Sequence, residues 1–178
     1  MLSKKIGETE LRSLEPWRAA EFYAYAEANR AELGAWLGWV PLVIDQGSAR
    51  DFLQRYADQT AKDGGRIYGL WLDHQLIGGT LFRVFDAHNS VCELGVWLSA
   101  DVRGRGYITR AAQAMIDWAI EERGIRRVEW QCTTDNKGSI AVAQRLGMTR
   151  EGVKRRAVEH QGEIHDVEQW ALVAQHSR

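Results

Sequence analysis

Residues 101–109 read Asp-Val-Arg-Gly-Arg-Gly-Tyr-Ile-Thr and stand between an apolar stretch ending at Leu98 and a segment with Ile108, Ala111, Ala112, Met115, Ile116, Ala119 and Ile120 at helical spacing. Strand, glycine-rich turn and helix in that order present free backbone N–H groups and the positive end of a helix dipole to an anion. Gly104 and Gly106 let the backbone approach a phosphate closely, and Arg103 and Arg105 add charge-assisted hydrogen bonds. The same residues also suit a plain strand-to-helix turn with its arginines in solvent. No Lys-Ser/Thr follows, as a P-loop needs, and no third glycine follows Gly106, as a dinucleotide fold needs. Nucleotide hydrolysis and hydride transfer both lose ground.

Glu93 is a carboxylate inside the apolar run Val91–Leu98, and strand alternation puts it on the face opposite Cys92 and Leu94. Cys92 and Cys132 each lie in a strand flanked by apolar residues with no recognisable histidine partner, which describes buried, inert thiols better than a covalent nucleophile. His74, His88, His160, His165 and His176 show no His-Glu-x-x-His spacing, and the cysteines no Cys-x-x-Cys, so no metal site is expected.

The elements that must position these groups follow from pattern. Residues 9–14 alternate as a short strand, and a helix begins at about Pro16, with Phe22, Tyr25 and Ala26 on its apolar face. Residues 33–44, with Trp36, Trp39 and Pro41, have no clean period and suggest a short helix plus loop. Ser48 starts a second helix, with Asp51 approximating a capping box, and Gly64-Gly65 ends it. Strands follow at 67–72, 75–84 and 91–98, the first two joined by an Asp73-His74 turn. After the glycine turn and its helix, which Gly124 closes, come a strand at 126–133, a helix at 136–146 and a hairpin of 148–159 with 164–173 around Gln161-Gly162. The order β-α-α-β-β-β-α-β-α-β-β argues for a mixed sheet with helices on both faces.

The 178 residues, 45% hydrophobic and 26% charged, suit one domain over 1–178. With 23 basic against 24 acidic side chains, no global field draws the chain to nucleic acid or anionic lipid. Two cysteines, an N-terminus without an apolar signal segment and no bilayer-length apolar run place it in the cytoplasm, away from membranes. Core packing accounts for most of the eight tryptophans.

The run Arg103-Gly104-Arg105-Gly106-Tyr107-Ile108 resembles the acetyl-CoA signature of the GNAT N-acetyltransferases, Gln/Arg-x-x-Gly-x-Gly/Ala, with Arg103 and Gly106 matching. Ile108 stands where the last small residue is expected, a departure similar to the RimL/RimJ-like branch that acetylates ribosomal-protein N-termini. The blocks Cys92–Leu98, Asp135–Ser139 and Gly162–Val167 resemble that branch too. The likeness covers nearly the whole chain and is closest after residue 66.

This resemblance implies a single-domain α/β GNAT fold, its mostly antiparallel sheet of about seven strands splayed between the fourth (91–98) and the fifth (126–133). Pantetheine would lie along the fourth strand and pair with the backbone of Val96, Trp97 and Leu98. The pyrophosphate would sit on Arg103, Gly104, Arg105, Gly106, Tyr107, Ile108 and Thr109, with Asn136 and Ser139 facing the pantetheine arm. Acetyl transfer to an amine needs a base, an oxyanion donor and an acid. Glu93 is the candidate base, against the alternative of a glutamate facing solvent. Where many members carry a tyrosine acid this chain has Ala143, and the branch's substitute corresponds to Ser139, which also suits a simple helix-start residue. Trp36 and Trp39 are candidates for the acceptor wall, with core packing as the alternative. The branch's acidic acceptor residue aligns with Val158 and leaves Glu159 beside it as a candidate; His160, His165 and Asp166 read as exposed turn residues. The acceptor is a protein N-terminal α-amine or a small amine such as a polyamine, amino sugar or antibiotic. A CoA-binding module without catalysis is the reading from another class, and family members often pair as homodimers.

Overall fold

A computed structural model describes residues 3–174. Its strands are β1 (Ser3–Ile6), β2 (Thr9–Ser13), β3 (Arg66–Leu72), β4 (Gln75–Asp86), β5 (Val91–Leu98), β6 (Arg127–Thr133), β7 (Thr149–His160) and β8 (Glu163–Val173). Its helices are α1 (Ala19–Ala28), α2 (Arg30–Gly34), α3 (Gln46–Ala61), α4 (Tyr107–Asp117) and α5 (Lys137–Arg145). All the strands join one sheet in the order β1-β2-β3-β4-β5-β6-β8-β7, and only the β5–β6 pair is parallel. This is the expected α/β fold with one strand more, because Ser3–Ile6 pairs with β2 as a mostly exposed edge and so carries no alternating apolar signal.

Alternation in the central strands builds two cores. Cys92, Leu94, Val96 and Leu98 of β5 and Val128, Trp130 and Cys132 of β6 pack under α4 and α5. Trp97 turns to the opposite face and joins the cluster of Phe22, Trp39 and Phe52 beneath α1 and α3. The floor of that second core depends on missing side chains. A Cβ at Gly79 would lie 2.2 Å from the Trp97 ring and 2.4 Å from the Tyr68 carbonyl oxygen, so only glycine lets the indole rest against β4.

Two local readings change. The second helix begins at Gln46, not Ser48: the Asp45 carboxylate accepts from the Ser48 N–H at 2.7 Å while the Ser48 hydroxyl accepts from the Asp45 N–H at 3.0 Å. The capping pair exists with the roles shifted, and Asp51 has no part in it. The Asp73-His74 turn is as expected, both residues at positive φ between β3 and β4. Among the described residues no helix is long and apolar enough to cross a membrane.

Candidate active site

The site begins where the sheet comes apart. β5 pairs with β6 at only three positions, Val91 with Arg127, Cys92 with Val128 and Glu93 with Glu129. Beyond them β5 continues against β4, β6 continues against β8, and the edge of Leu94–Leu98 that faces away from β4 has no strand partner among the described residues.

That open edge runs into the glycine turn. After one 3-10 turn at Ala100–Val102, Gly104 at φ +79° and Gly106 at φ +74° reverse the chain, and Gly106 caps α4. The first α4 bond joins the Arg110 N–H to the Gly106 carbonyl, so the N–H groups of Tyr107, Ile108 and Thr109 precede the intrahelical ladder. Arg103, Gly104, Arg105 and Gly106 are exposed around them. The side chains of Tyr107 and Ile108 turn into the core, and the Tyr107 hydroxyl donates to Glu8 at 3.0 Å. These two residues can therefore serve an anion only through their backbone. Arg103 is engaged by Glu32 of α2 at 3.2 Å, both side chains being half exposed.

Across the opening, Asn136 caps α5: its Oδ1 accepts from the Ser139 N–H at 3.0 Å. Ser139 Oγ accepts from the Trp130 indole N–H at 2.9 Å. Ala143 is fully buried in the α5 interface and offers no polar group. Val96 and Leu98 share this face, whereas Trp97 shows it only backbone.

On the opposite face of β5 stands Glu93, 9% exposed, which excludes the solvent-facing alternative. Its carboxylate is ion-paired with Arg83 and lies 3.5 Å from the Gln131 amide nitrogen. Arg83 is the extra residue of a bulge: β4 pairs Phe82 with Leu94 and Val84 with Glu93, which aims the intervening arginine at the carboxylate. Tyr56 of α3 lies close enough to feel both charges, and burial pushes its hydroxyl pKa up. Arg83, Tyr56 and Gln131 escape sequence reasoning. The one visible signal is a charge interrupting the apolar run Leu81-Phe82-Arg83-Val84-Phe85.

Of the acceptor candidates, Trp39 packs within the second core, with ring centroids 5.2 Å from Phe22, 5.6 Å from Phe52 and 5.8 Å from Trp97. Trp36 is 44% exposed. Glu159 is exposed opposite Ile164, and no described hydrogen bond or ion pair ties it to Glu93. Its neighbours are not idle turn residues: His160 Nε2 lies 2.7 Å and Gln161 Nε2 3.0 Å from the Gly34 carbonyl oxygen, fastening the β7–β8 tip to α2. Asp166 accepts from the Arg156 N–H at 2.7 Å, closing a bulge in β7, and His165 Nδ1 is 3.9 Å from Asp135.

Burial pushes the Cys92 thiol up to about 12 and raises that of Cys132, so neither supplies a thiolate near neutral pH. No metal-ligating group of three or more His, Cys, Asp or Glu occurs among the described residues, and His176 lies outside them.

A glycine turn at a helix N-terminus and an unpaired strand edge leading into it thus lie on one face of β5, with a buried carboxylate on the other. The chain belongs to the acetyltransferase (GNAT) domain family, whose model matches residues 11–149. It is 29% identical to YdaF of Bacillus subtilis (strain 168), provisionally named a ribosomal N-acetyltransferase, over 97% of this chain and 96% of that one. Its fold is similar to RimL, a ribosomal L7/L12 alpha-N-protein acetyltransferase in complex with coenzyme A, at TM-score 0.92 and 25% identity over 96% and 97% of the two chains. It is also similar to the microcin C7 self-immunity acetyltransferase MccE in complex with acetyl-CoA and AMP, at TM-score 0.89 and 25% identity over 94% and 93%. The chain is thus an N-acetyltransferase in fold and family.

Proposed function

We propose that this protein transfers the acetyl group of acetyl-CoA to the α-amine of a protein N-terminus, of the ribosomal-protein type, in the cytoplasm. The observation that carries this reading is the buried Glu93 carboxylate, paired with the exposed Arg83 and set on the far face of the opening from the α4 turn and Ser139. The relatives named for ribosomal proteins supply the acceptor class.

The residues present fit the cofactor. The open edge of Leu94–Leu98 offers backbone donors and acceptors to the pantetheine amides, and Arg105 with the N–H groups of Tyr107–Thr109 suits a pyrophosphate. Acetyl-CoA supplies an acetyl group activated as a thioester. Glu93 takes a proton from the attacking amine, with Arg83 and Gln131 fixing its carboxylate. An α-amine, with a reference pKa of about 7.7–8.0 against about 10.4 for lysine, needs only a modest base. Backbone N–H groups on the open edge of β5 polarise the carbonyl, and the Ser139 hydroxyl hydrogen-bonds the departing sulfur.

The test is thiol release from acetyl-CoA with N-terminal peptides, polyamines and aminoglycosides as acceptors. We expect turnover on peptides beginning with serine or alanine. Turnover confined to small amines would move the acceptor to that class, and tight cofactor binding with silence on every acceptor would leave a binding module.

Arg103 adds a second test. Its pairing with Glu32 competes with any phosphate contact, so Glu32→Ala is expected to tighten acetyl-CoA binding about two- to fivefold by calorimetry, the worth of an exposed ion pair. Weaker binding would show that Glu32 orders the turn.

A further inference from the structure

Trp130 occupies the middle of β6, 2% exposed, with its indole on the α4–α5 face. Its single polar atom, Nε1, donates to Ser139 Oγ at 2.9 Å across the start of α5. An indole N–H only donates, so Ser139 cannot return a proton to it; a serine hydroxyl holds one proton and two lone pairs, and this contact occupies a lone pair. The serine is fixed from a second side, because its backbone N–H is bonded to the Asn136 cap. Cys132, the next residue of β6 on the same face, lies within hydrogen-bonding reach of both Ser139 and Trp130; burial raises its thiol pKa, so it stands there as a neutral sulfur, a weak acceptor for that proton. Backbone and oxygen are both tied down, and the proton of the hydroxyl is met by nothing stronger than that neutral thiol.

We propose that Trp130 is a positioning residue for acetyl transfer: its N–H sets the Ser139 rotamer and polarises the oxygen, so that the hydroxyl donates outward to the departing sulfur. A donor bonded to an oxygen strengthens that group's own donation, and of the two side chains within reach of the buried indole N–H, Ser139 Oγ and the Cys132 sulfur, the oxygen is the stronger acceptor. The inference rests on Ser139 acting on the sulfur, as set out above. It goes further in making the serine's competence depend on a tryptophan that never touches substrate.

Trp130→Phe keeps the ring and deletes the N–H. We expect kcat to fall about tenfold, the worth of one neutral hydrogen bond, with the acetyl-CoA KM within about twofold. In a Ser139→Ala background the same substitution should change kcat no further. A readout independent of turnover is the Trp130 indole N–H resonance in the intact protein. It should shift on Ser139→Ala and again when coenzyme A is added to the unaltered chain, and it is available even where Trp130→Phe folds poorly. An unchanged kcat in Trp130→Phe, an equal loss in both backgrounds, or an indole signal indifferent to Ser139→Ala would each overturn the proposal. Full activity in Ser139→Ala alone is a separate outcome: it would remove the serine from the reaction and the tryptophan's role with it.

Discussion

Glu93→Gln is expected to lower kcat by about 100-fold or more, the usual contribution of a positioned general base, while acetyl-CoA binding stays within about twofold. The amide has the shape of the carboxylate and can still meet Gln131, but it cannot accept the amine proton. The fold should survive. The partner left behind, Arg83, is 59% exposed in its side chain and is rehydrated when the carboxylate is lost, so the protein forfeits no more than about 1 kcal/mol. Steady-state kinetics on the preferred peptide together with a cofactor titration separates the cases. Retained turnover would assign the base elsewhere, and loss of cofactor affinity would mean that Glu93 acts by holding the two halves of the sheet.

The second large effect concerns stability. Gly79→Ala is expected to cost about 1–3 kcal/mol, the range for overpacking a filled core, and to lower Tm by roughly 2–12 °C. The added methyl meets the Trp97 ring on one side and the Tyr68 carbonyl on the other, and neither is the free end of a flexible chain. The indole would have to leave β4, and it cannot do so alone because its edge rests on Trp39. The variant should leave the acetyl-CoA KM little changed. Thermal unfolding followed by tryptophan fluorescence measures the first effect; an unchanged Tm would mean that the Trp97 pocket has room the static packing conceals.

The parts of this site readable in the sequence are those encoded over short range. The Arg103–Gly106 turn is legible because its glycines, its arginines and the helix they start lie within one window. Glu93 announces itself as a charge in an apolar strand, but its surroundings, Arg83 of β4, Gln131 of β6 and Tyr56 of α3, arrive from elsewhere in the chain. Arg83 belongs to the site through a bulge, which is a property of two strands in register and is written in neither. The same holds for Trp130, whose value lies in a contact with a helix nine residues on. Tyr107 and Ile108 fall inside the signature window, Ile108 as a departure from it, yet their side chains serve the core; a motif names positions without saying which atoms act. The clasp of His160 and Gln161 on Gly34 joins turns more than a hundred positions apart and leaves no local trace.

The three-position seam between β5 and β6 has a further consequence for the protein as a material. An open sheet ordinarily has two edges to protect, and this one carries an additional pair inside it whenever the cleft is empty. Unsatisfied strand edges are templates for pairing with other chains. In the proposed reaction the pantetheine arm lies along β5 as a surrogate strand, so each product release briefly returns the sheet to an unfinished state. Coenzyme in this picture is a chaperone as well as a reagent: preparations stripped of it should be the ones that cloud on storage.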